Sequence, residues 1–441
     1  MADSRPPRVS ASFVDASAAA LVLSAWRECG REAAISALAE VRTSSANHGY
    51  GLLIAELQAR LESDEGPRLL IDGLWFTRAY GGITRVWQQI LSTWKLPGLL
   101  HEGAPVGLID RGSCLPLTHA FPALEGSCFD PLDPKAVAAV TEENELHIFR
   151  WQADVFCSSW ISSSGLERPV CKELALVHDC LPERFPPDQP ELMALRRRWW
   201  QGASSHLAVS ANTASDLAKL LRCPEDLIAW CHLAPAGVFA EMVAADGADA
   251  LWQRLQQQAD LPDSFVLLPA TSVIGTYKNP ELLAEALADS ALAALPLLLC
   301  GIAAKERGQE LEVRFPHLRG RIHVAGFSDQ ELALVYRHAL AVVIPSRIEG
   351  FGLPAVEVMA AGGMPLIADS LGLREAGAEA ALRFAPDQPG QLTNLLQLLL
   401  DPDTRSWLKT RMKPRVENRL DRLNPDLIGL ALLAKARQVA A

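Results

Sequence analysis

No stretch of the sequence is long and apolar enough to span a bilayer: the longest runs, such as ALPLLLCG, fall well short of the roughly 20 residues required. Any membrane contact is therefore expected to be peripheral, at the inner face. The opening MADSRPPRVSASF has neither the basic start nor the apolar core of a secretory signal, so a cytoplasmic location is expected. Paired cysteines are also missing. The nine cysteines, at positions 29, 114, 128, 157, 171, 180, 223, 231 and 300, are odd in number, scattered and free of any C-x-x-C. That pattern speaks against a disulfide framework and a thiolate zinc site, and it fits a reducing compartment. Positive charge is in short supply, with 41 Lys and Arg against 52 Asp and Glu giving a net charge of -11. A polyanion such as nucleic acid is thus disfavoured as main partner, because the sequence-independent part of such binding is phosphate neutralisation. There is no repeat of solenoid period and no low-complexity tract.

What is present is the composition of a globular α/β enzyme: 49% hydrophobic, 21% charged, with 29 Gly and 29 Pro. A chain of 441 residues should hold two or three cores. Residues 1–65 read as a helical leader, with Leu21, Ala25, Ala33, Leu38, Leu53 and Leu57 at helical spacing and a break at SSANHGYG. From Arg68 short apolar runs alternate with amphipathic stretches, the mark of βα units on a parallel sheet. Residues 66–245 give one such series: LLIDG, DVFCSS, ELALVHD and HLAVS, the last entering a helix through Ser210 as N-cap. An Ala-, Gln- and Asp-rich linker runs from about Phe239 to Pro262. Residues 246–410 give a second, more regular series of six: SFVLLPA, ALPLLLCG, RIHVAGF, LAVVIPS, MPLIAD and LRFAP. Six strands alternating with helices predict a doubly wound sheet with its ligand crevice beyond the carboxyl ends of the strands. A final helix within 411–441 is expected to pack back on the first domain.

The chemistry is concentrated in SRIEGFGLPAVEVMAAGGMP, residues 346–365. It follows the strand LAVVIP and passes through a glycine turn into a helix that Pro354 suits at its first turn. Strand, glycine turn and helix start together make an anion site, since backbone N–H groups and the helix dipole face the incoming ligand. Gly350 and Gly352 permit close approach and unusual dihedrals. Glu349 and Glu357 flank the turn. Carboxylates would repel a bound diphosphate, so these two are expected to meet neutral hydroxyls on either side of it, sugar at one end and ribose at the other. Taken singly, Glu349 reads equally well as a solvated loop charge and Glu357 as a first-turn dipole partner, contributing under ~1 kcal/mol.

The whole word EGFGLPAVE, two glutamates with seven residues between, closely resembles the signature of family 4 (group 1) retaining glycosyltransferases of GT-B fold. Other pieces fall in the family's order: YGGITRVWQQIL resembles its first glycine loop, LVHDCLPERFP its histidine segment, LAVSANTASDLAKL the last unit of its first domain, and TYKNPELLAEAL its lysine segment. HVAGFSDQELALVYRHALAVVIPS and AAGGMPLIADSLGLREAGAEAALRFAPD are similar to the stretches flanking the signature. The resemblance covers roughly Arg68 to Asp403 and leaves the leader out.

What it implies is an α/β GT-B fold of two facing Rossmann-like domains with parallel sheets, acting without cofactor or metal on a nucleotide diphosphate sugar. The acceptor would be a glycan, a lipid-linked or a small molecule, in polysaccharide or surface-glycan synthesis. Glu349 would stabilise the positive charge developing on the transferred sugar and Glu357 would hold the ribose. The backbone of Gly350, Phe351, Gly352 and Leu353 would meet sugar hydroxyls and phosphate, and Lys278 would neutralise the diphosphate. Gly81 and Gly82 would let the first domain approach the donor phosphates, with Arg85 one turn into the helix. His178 reads alone as a packed histidine; by resemblance it contacts the donor sugar near the reacting carbon. Glu375 matches a position near the nucleotide. The family usually has an arginine a few residues before its lysine, whereas LLPATSVIGTYKN carries none and has extra residues, with Arg347 as a substitute cation.

Arg196 to Trp200, RRRWW, reads as a solvated helix face with two buried tryptophans or, alternatively, as a membrane-facing patch. DPD at 401–403 reads as a helix-stop turn rather than a metal-binding Asp-x-Asp. An NAD-dependent dehydrogenase would need G-x-G-x-x-G after an early strand, which YGGITRVW does not supply. A sugar phosphorylase would need a pyridoxal-binding lysine and far more chain. The remaining alternative is a catalytically weak or inactive nucleotide-sugar-binding protein on the same fold.

Overall fold

The apolar runs become parallel strands because they are buried on both faces, which only a sheet covered by helices on each side allows. In the computed structural model, which describes residues 13–44, 51–62, 64–100, 106–187, 189–269, 275–301 and 303–441, the strands belong to two units. Residues 1–233 with 424–441 make the first, and residues 234–423 the second.

The first unit holds β1 (Leu69–Asp72), β2 (Val106–Asp110), β3 (Ala123–Glu125), β4 (Val155–Ser158), β5 (Lys172–Val177), β6 (Ser205–Ala208) and β7 (Ala229–Trp230). They form a parallel sheet in the order β3-β2-β1-β4-β5-β6-β7, a doubly wound topology whose strand order reverses between β1 and β4. The sequence runs show β1, β4, β5 and β6 but not the other three. β3 has no buried face to give it a period, β7 is two residues long, and β2 contains Gly107, where a Cβ would lie 2.4 Å from the Trp151 ring. Ser210 caps its helix through Oγ, which accepts from the Thr213 amide at 2.9 Å.

The leader is part of this unit. Of its helices, Ala16–Cys29, Arg31–Ser44 and Leu52–Leu61, the first and third are bound to the terminal helix Leu427–Ala440 and its N-cap by part-buried polar contacts. Arg27 Nε donates to Asp426 Oδ2 at 2.7 Å, and Arg437 Nε donates to the fully buried Glu56 at 2.5 Å. Asp426 also accepts from Thr93 Oγ1 at 2.8 Å, and Trp94 Nε1 donates to Gly429 O at 3.0 Å.

At the carboxyl ends of β1 and β2 sits an ionic cluster. Arg111, fully buried, donates from Nε to Asp72 Oδ1 at 2.5 Å, from Nη1 to Glu143 Oε2 at 2.5 Å and from Nη2 to Asn144 Oδ1 at 2.8 Å. Ser162, from the loop after β4, donates to the other oxygen of Asp72. Burial alone would pull the Arg111 pKa down, but Asp72 and Glu143 more than offset it and the net direction is up. The cluster fixes the loops after β1, β2 and β4 to one another.

The second unit holds β8 (Val266–Pro269), β9 (Leu297–Cys300), β10 (Ile322–Ala325), β11 (Ala341–Ile344), β12 (Pro365–Ala368) and β13 (Leu382–Phe384), in the parallel order β10-β9-β8-β11-β12-β13. All six runs seen in the sequence are strands. The order reverses between β8 and β11, so the loops following those two strands share the switch point. The segment that composition marks as a linker forms the helices Val238–Ala244 and Ala248–Gln258. Phe239, Trp252 and Leu255 enter the core, where Phe239 stacks on Tyr336 and Trp252 lies flat on His338 with centroids 4.4 Å apart. No helix among the described residues is long and apolar enough to cross a membrane.

Asp72→Asn keeps the shape of the cluster and removes one carboxylate from a buried arginine. It should lower the first unit's stability by about 3 kcal/mol, read as a shift of the tryptophan-detected urea midpoint, while the exposed pair Arg307–Glu310 should tolerate Glu310→Gln within ~0.5 kcal/mol.

Candidate donor-binding site

In the second unit, β11 ends at Ile344 and the turn 345–352 leads into the helix Leu353–Ala360, with Pro354 in its first turn. Gly352 caps this helix at φ +108°, a conformation L side chains rarely adopt; Gly350 does not share it. A Cβ on Gly352 would stand 2.7 Å from Leu373 Cδ2 and 3.3 Å from Ala376 Cβ. The reciprocal contact is tighter: a Cβ on Gly372, itself at φ +78°, would stand 2.2 Å from Glu349 O. The glycine turn is therefore pressed against the helix Leu373–Gly377 with backbone touching backbone. Ile348, Phe351 and Leu353 are buried and anchor it. The first amides of Leu353–Ala360 have no carbonyl within the helix to bond, and they carry the positive end of its dipole.

β8 delivers the second component. Lys278 Nζ lies 2.6 Å from Glu349 Oε1, both side chains being partly exposed, because the segments after β8 and β11 meet at the switch point. The Lys278 ammonium also sits 5.3 Å from the Tyr277 ring centroid. The neighbouring Asn279, at φ +54° and buried, donates from Nδ2 to Pro345 O at 3.2 Å and to Pro386 O at 2.9 Å. Arg347 is exposed and donates from Nη2 to Asn279 Oδ1 at 3.2 Å. The extra residues 270–274 lie outside the described residues.

Glu357 is fully buried inside the helix that the turn begins, and Glu375 is half-buried on Leu373–Gly377. Lys278, Glu349, the backbone 350–353, Glu357 and Glu375 thus belong to the elements around one turn. Three residues missed by the sequence reading shape it: Asn279, Gly372 and Ser370, whose Oγ donates to Ser346 O at 2.8 Å. For Asn279 the sequence offers only the residue type, which tolerates the left-handed region better than most; the other two act through contacts that no spacing reveals.

Gly81, Gly82 and His178 stand in the first unit. A 3-10 turn, Leu74–Thr77, separates β1 from Gly81, which has φ +126° and precedes the helix Gly82–Trp94. A Cβ on either glycine would meet nothing within 4 Å. His178 follows β5. Enclosure by protein, with the Arg196 charge adding to it, pushes its pKa down to about 3, so the ring is neutral at physiological pH. Its Nδ1 is buried with no hydrogen-bond partner among the described residues. Arg196 is buried rather than solvated, donating to Glu183 Oε1 at 2.7 Å and Asp179 O at 2.5 Å. A cavity of about 240 Å³ opens beside the end of β2, between Phe76, Phe121, Asp110, Ser113 and His119.

Gly372→Ala must both strain the backbone and displace the Glu349 carbonyl, so it should cost about 2–4 kcal/mol in urea unfolding. Gly362→Ala, at φ +71° with nothing within 4 Å of the added carbon, should cost only about 1 kcal/mol. Equal losses would contradict the close packing of the turn.

Residues 253–416, which contain all of these second-unit elements except β8's predecessors, match the family model described as glycosyl transferases group 1. A D-inositol 3-phosphate glycosyltransferase of Corynebacterium aurimucosum is 26% identical over 49% of this chain and 54% of its own length. Another, D-inositol 3-phosphate glycosyltransferase 1 of Catenulispora acidiphila, is 32% identical over 44% of this chain and 49% of its own. The chain thus spans about half the length of these curated relatives. Among solved structures, Anabaena Alr3699/HepE in complex with UDP-glucose superposes with TM-score 0.60 at 17% identity, covering 83% of this chain and 99% of that one. Likeness at that identity speaks to the fold, two Rossmann-like domains of GT-B type. The stretch that carries the glycine turn, the lysine and both glutamates, residues 253–416, belongs to the group 1 glycosyltransferases.

Proposed function

We propose that the protein is a retaining, metal-independent glycosyltransferase that moves a hexose-type sugar from a nucleoside diphosphate to a hydroxyl of an acceptor. The observation that carries this reading is the convergence of a helix start and the Lys278 ammonium on one glycine turn, with Glu349 2.6 Å from the lysine. A leaving diphosphate needs positive charge placed before the reaction begins, and fixed amides plus an ammonium supply it without reorganisation. Two curated relatives are named for glycosyl transfer, and a structural neighbour was solved with UDP-glucose, which support the same choice of donor class.

In the proposed reaction the bond from the anomeric carbon to the diphosphate breaks, and a bond from that carbon to the acceptor oxygen forms on the same face. The hydroxyl proton passes to the departing phosphate oxygen. Glu349 stabilises the positive charge on the sugar, Lys278 and the amides of 350–353 hold the phosphates, and Glu357 and Glu375 hold the nucleoside. A neutral His178 accepts or donates one hydrogen bond to the sugar without adding like charge to an oxocarbenium-like centre. Gly81 and Gly82 would offer backbone to the phosphates, as the resemblance implies. Nine free thiols accord with work in the cytoplasm, with membrane contact at most peripheral.

Calorimetry with ADP, GDP and UDP identifies the base, and Lys278→Ala should weaken the bound one about ten- to a hundredfold. Glu349→Ala should keep nucleoside diphosphate affinity and lower turnover of the matching nucleotide sugar, by transfer or hydrolysis, about 10²–10³-fold. Near-normal turnover would remove Glu349 from the chemistry. Tight diphosphate binding by the wild type with no turnover of any nucleotide sugar would favour a binding protein instead, the reading that the missing arginine before Lys278 supports.

A further inference from the structure

We propose that Arg419 is a positioning residue of the donor site: it holds the helix Leu373–Gly377 as the wall against which the glycine turn is set, and so fixes Glu375 and the amides of 350–353. The inference rests on the reading of that turn as a nucleoside diphosphate site.

Leu373–Gly377 has five residues, so its last carbonyls must find partners beyond it. Arg374 O accepts from the Ala378 amide at 2.9 Å and Gly377 O from the Ala380 amide at 2.8 Å. The other two are met by one side chain from the helix Pro402–Asp421: Arg419 Nε donates to Ala376 O at 3.0 Å and Nη2 to Glu375 O at 2.6 Å. A cation at the carbonyl end of a helix is also favoured by the dipole. Arg419 is 8% exposed, whereas Arg411, Lys413, Arg415 and Arg422 on the same stretch face solvent. Burial pulls its pKa down to about 10, with the Glu375 charge opposing, and it stays cationic at neutral pH.

What this guanidinium holds is in direct contact with the turn. Leu373 and Ala376 are the side chains facing Gly352, and Gly372 lies against the Glu349 carbonyl. Neither contact has slack, so a shift of Leu373–Gly377 moves the amides of the turn and the Glu349 backbone with it. Lysine at 419 would replace the fixed fork, Nε on Ala376 O and Nη2 on Glu375 O, by a single rotatable ammonium on a flexible stem, which holds the two carbonyls less rigidly.

Three variants of the full chain test this by amide hydrogen exchange and by calorimetry with ADP, GDP and UDP. Arg419→Gln should speed exchange at least tenfold in 373–377 and 350–353, leave β8, β9 and β11 protected, and weaken the nucleoside diphosphate about tenfold. Arg419→Lys should recover roughly half of the affinity loss on a logarithmic scale. Met412→Ala removes a buried side chain from the same helix without touching the two carbonyls, and should leave the affinity within twofold. Unchanged exchange at 350–353 in folded Arg419→Gln, or an equal loss of affinity in Met412→Ala, overturns the proposal. If the wild type binds none of the three diphosphates, the donor-site reading fails, and exchange at 350–353 alone decides whether Arg419 sets the turn.

Discussion

Two glycines stand where an added carbon would collide with a neighbour. Gly352 is closed in by Leu373 and Ala376, and Gly372 by the carbonyl of Glu349, so the turn after β11 and the helix after β12 share a backbone-to-backbone contact. From that contact follow the direction of the helix Leu353–Ala360, the placement of its amide end at the switch point of the sheet, and the exposure of Glu349 beside Lys278. Replace the contact with an ordinary side-chain interface and the amides retreat by ångströms, which is enough to lose a cradle built for phosphate oxygens.

Electrostatics explains the arrangement of charges around this turn. A chain of net charge -11 has no general attraction for an anion, so affinity for a diphosphate has to come from local donors. Lys278 and the helix dipole supply it, while Glu349 pairs with the lysine at 2.6 Å and so is held without a net local charge. In the first unit burial acts in the opposite way on His178, stripping it of its proton rather than pairing it, while Arg111 keeps its charge because Asp72 and Glu143 surround it. Buried ionic groups are thus used to fix loops at strand ends in that unit, and partly exposed ones face the site in the second.

The second sheet was legible strand by strand, because each run is continuous, apolar and closed by a turn, and its switch point follows from the doubly wound order. The first sheet was legible only in part: β3 and β7 are short edge strands without the buried run that marks a central strand, and β2, although buried, is interrupted by Gly107. The stretch from Phe239 to Pro262 looked like a linker by composition, yet the positions of Phe239, Trp252 and Leu255 are those of core helices. At the site, Glu349 and Glu357 stand out in the word EGFGLPAVE and Lys278 in the separate segment TYKNPELLAEAL. Arg419 and Gly372 do not, since their significance lies in what they touch 43 and 23 residues away. Arg196 shows the same limit: within RRRWW it looks like surface charge, and only the fold shows it buried under the loop that follows His178.

The central claim, that the glycine turn and Lys278 together cradle a diphosphate, is tested most directly by a crystal structure of the protein with whichever of ADP, GDP or UDP it binds. A phosphate oxygen should lie within hydrogen-bond distance of an amide in 350–353 and of Lys278 Nζ, with Glu357 on a ribose hydroxyl. A nucleotide bound elsewhere, or one at this turn with Lys278 turned away from its phosphates, would contradict it.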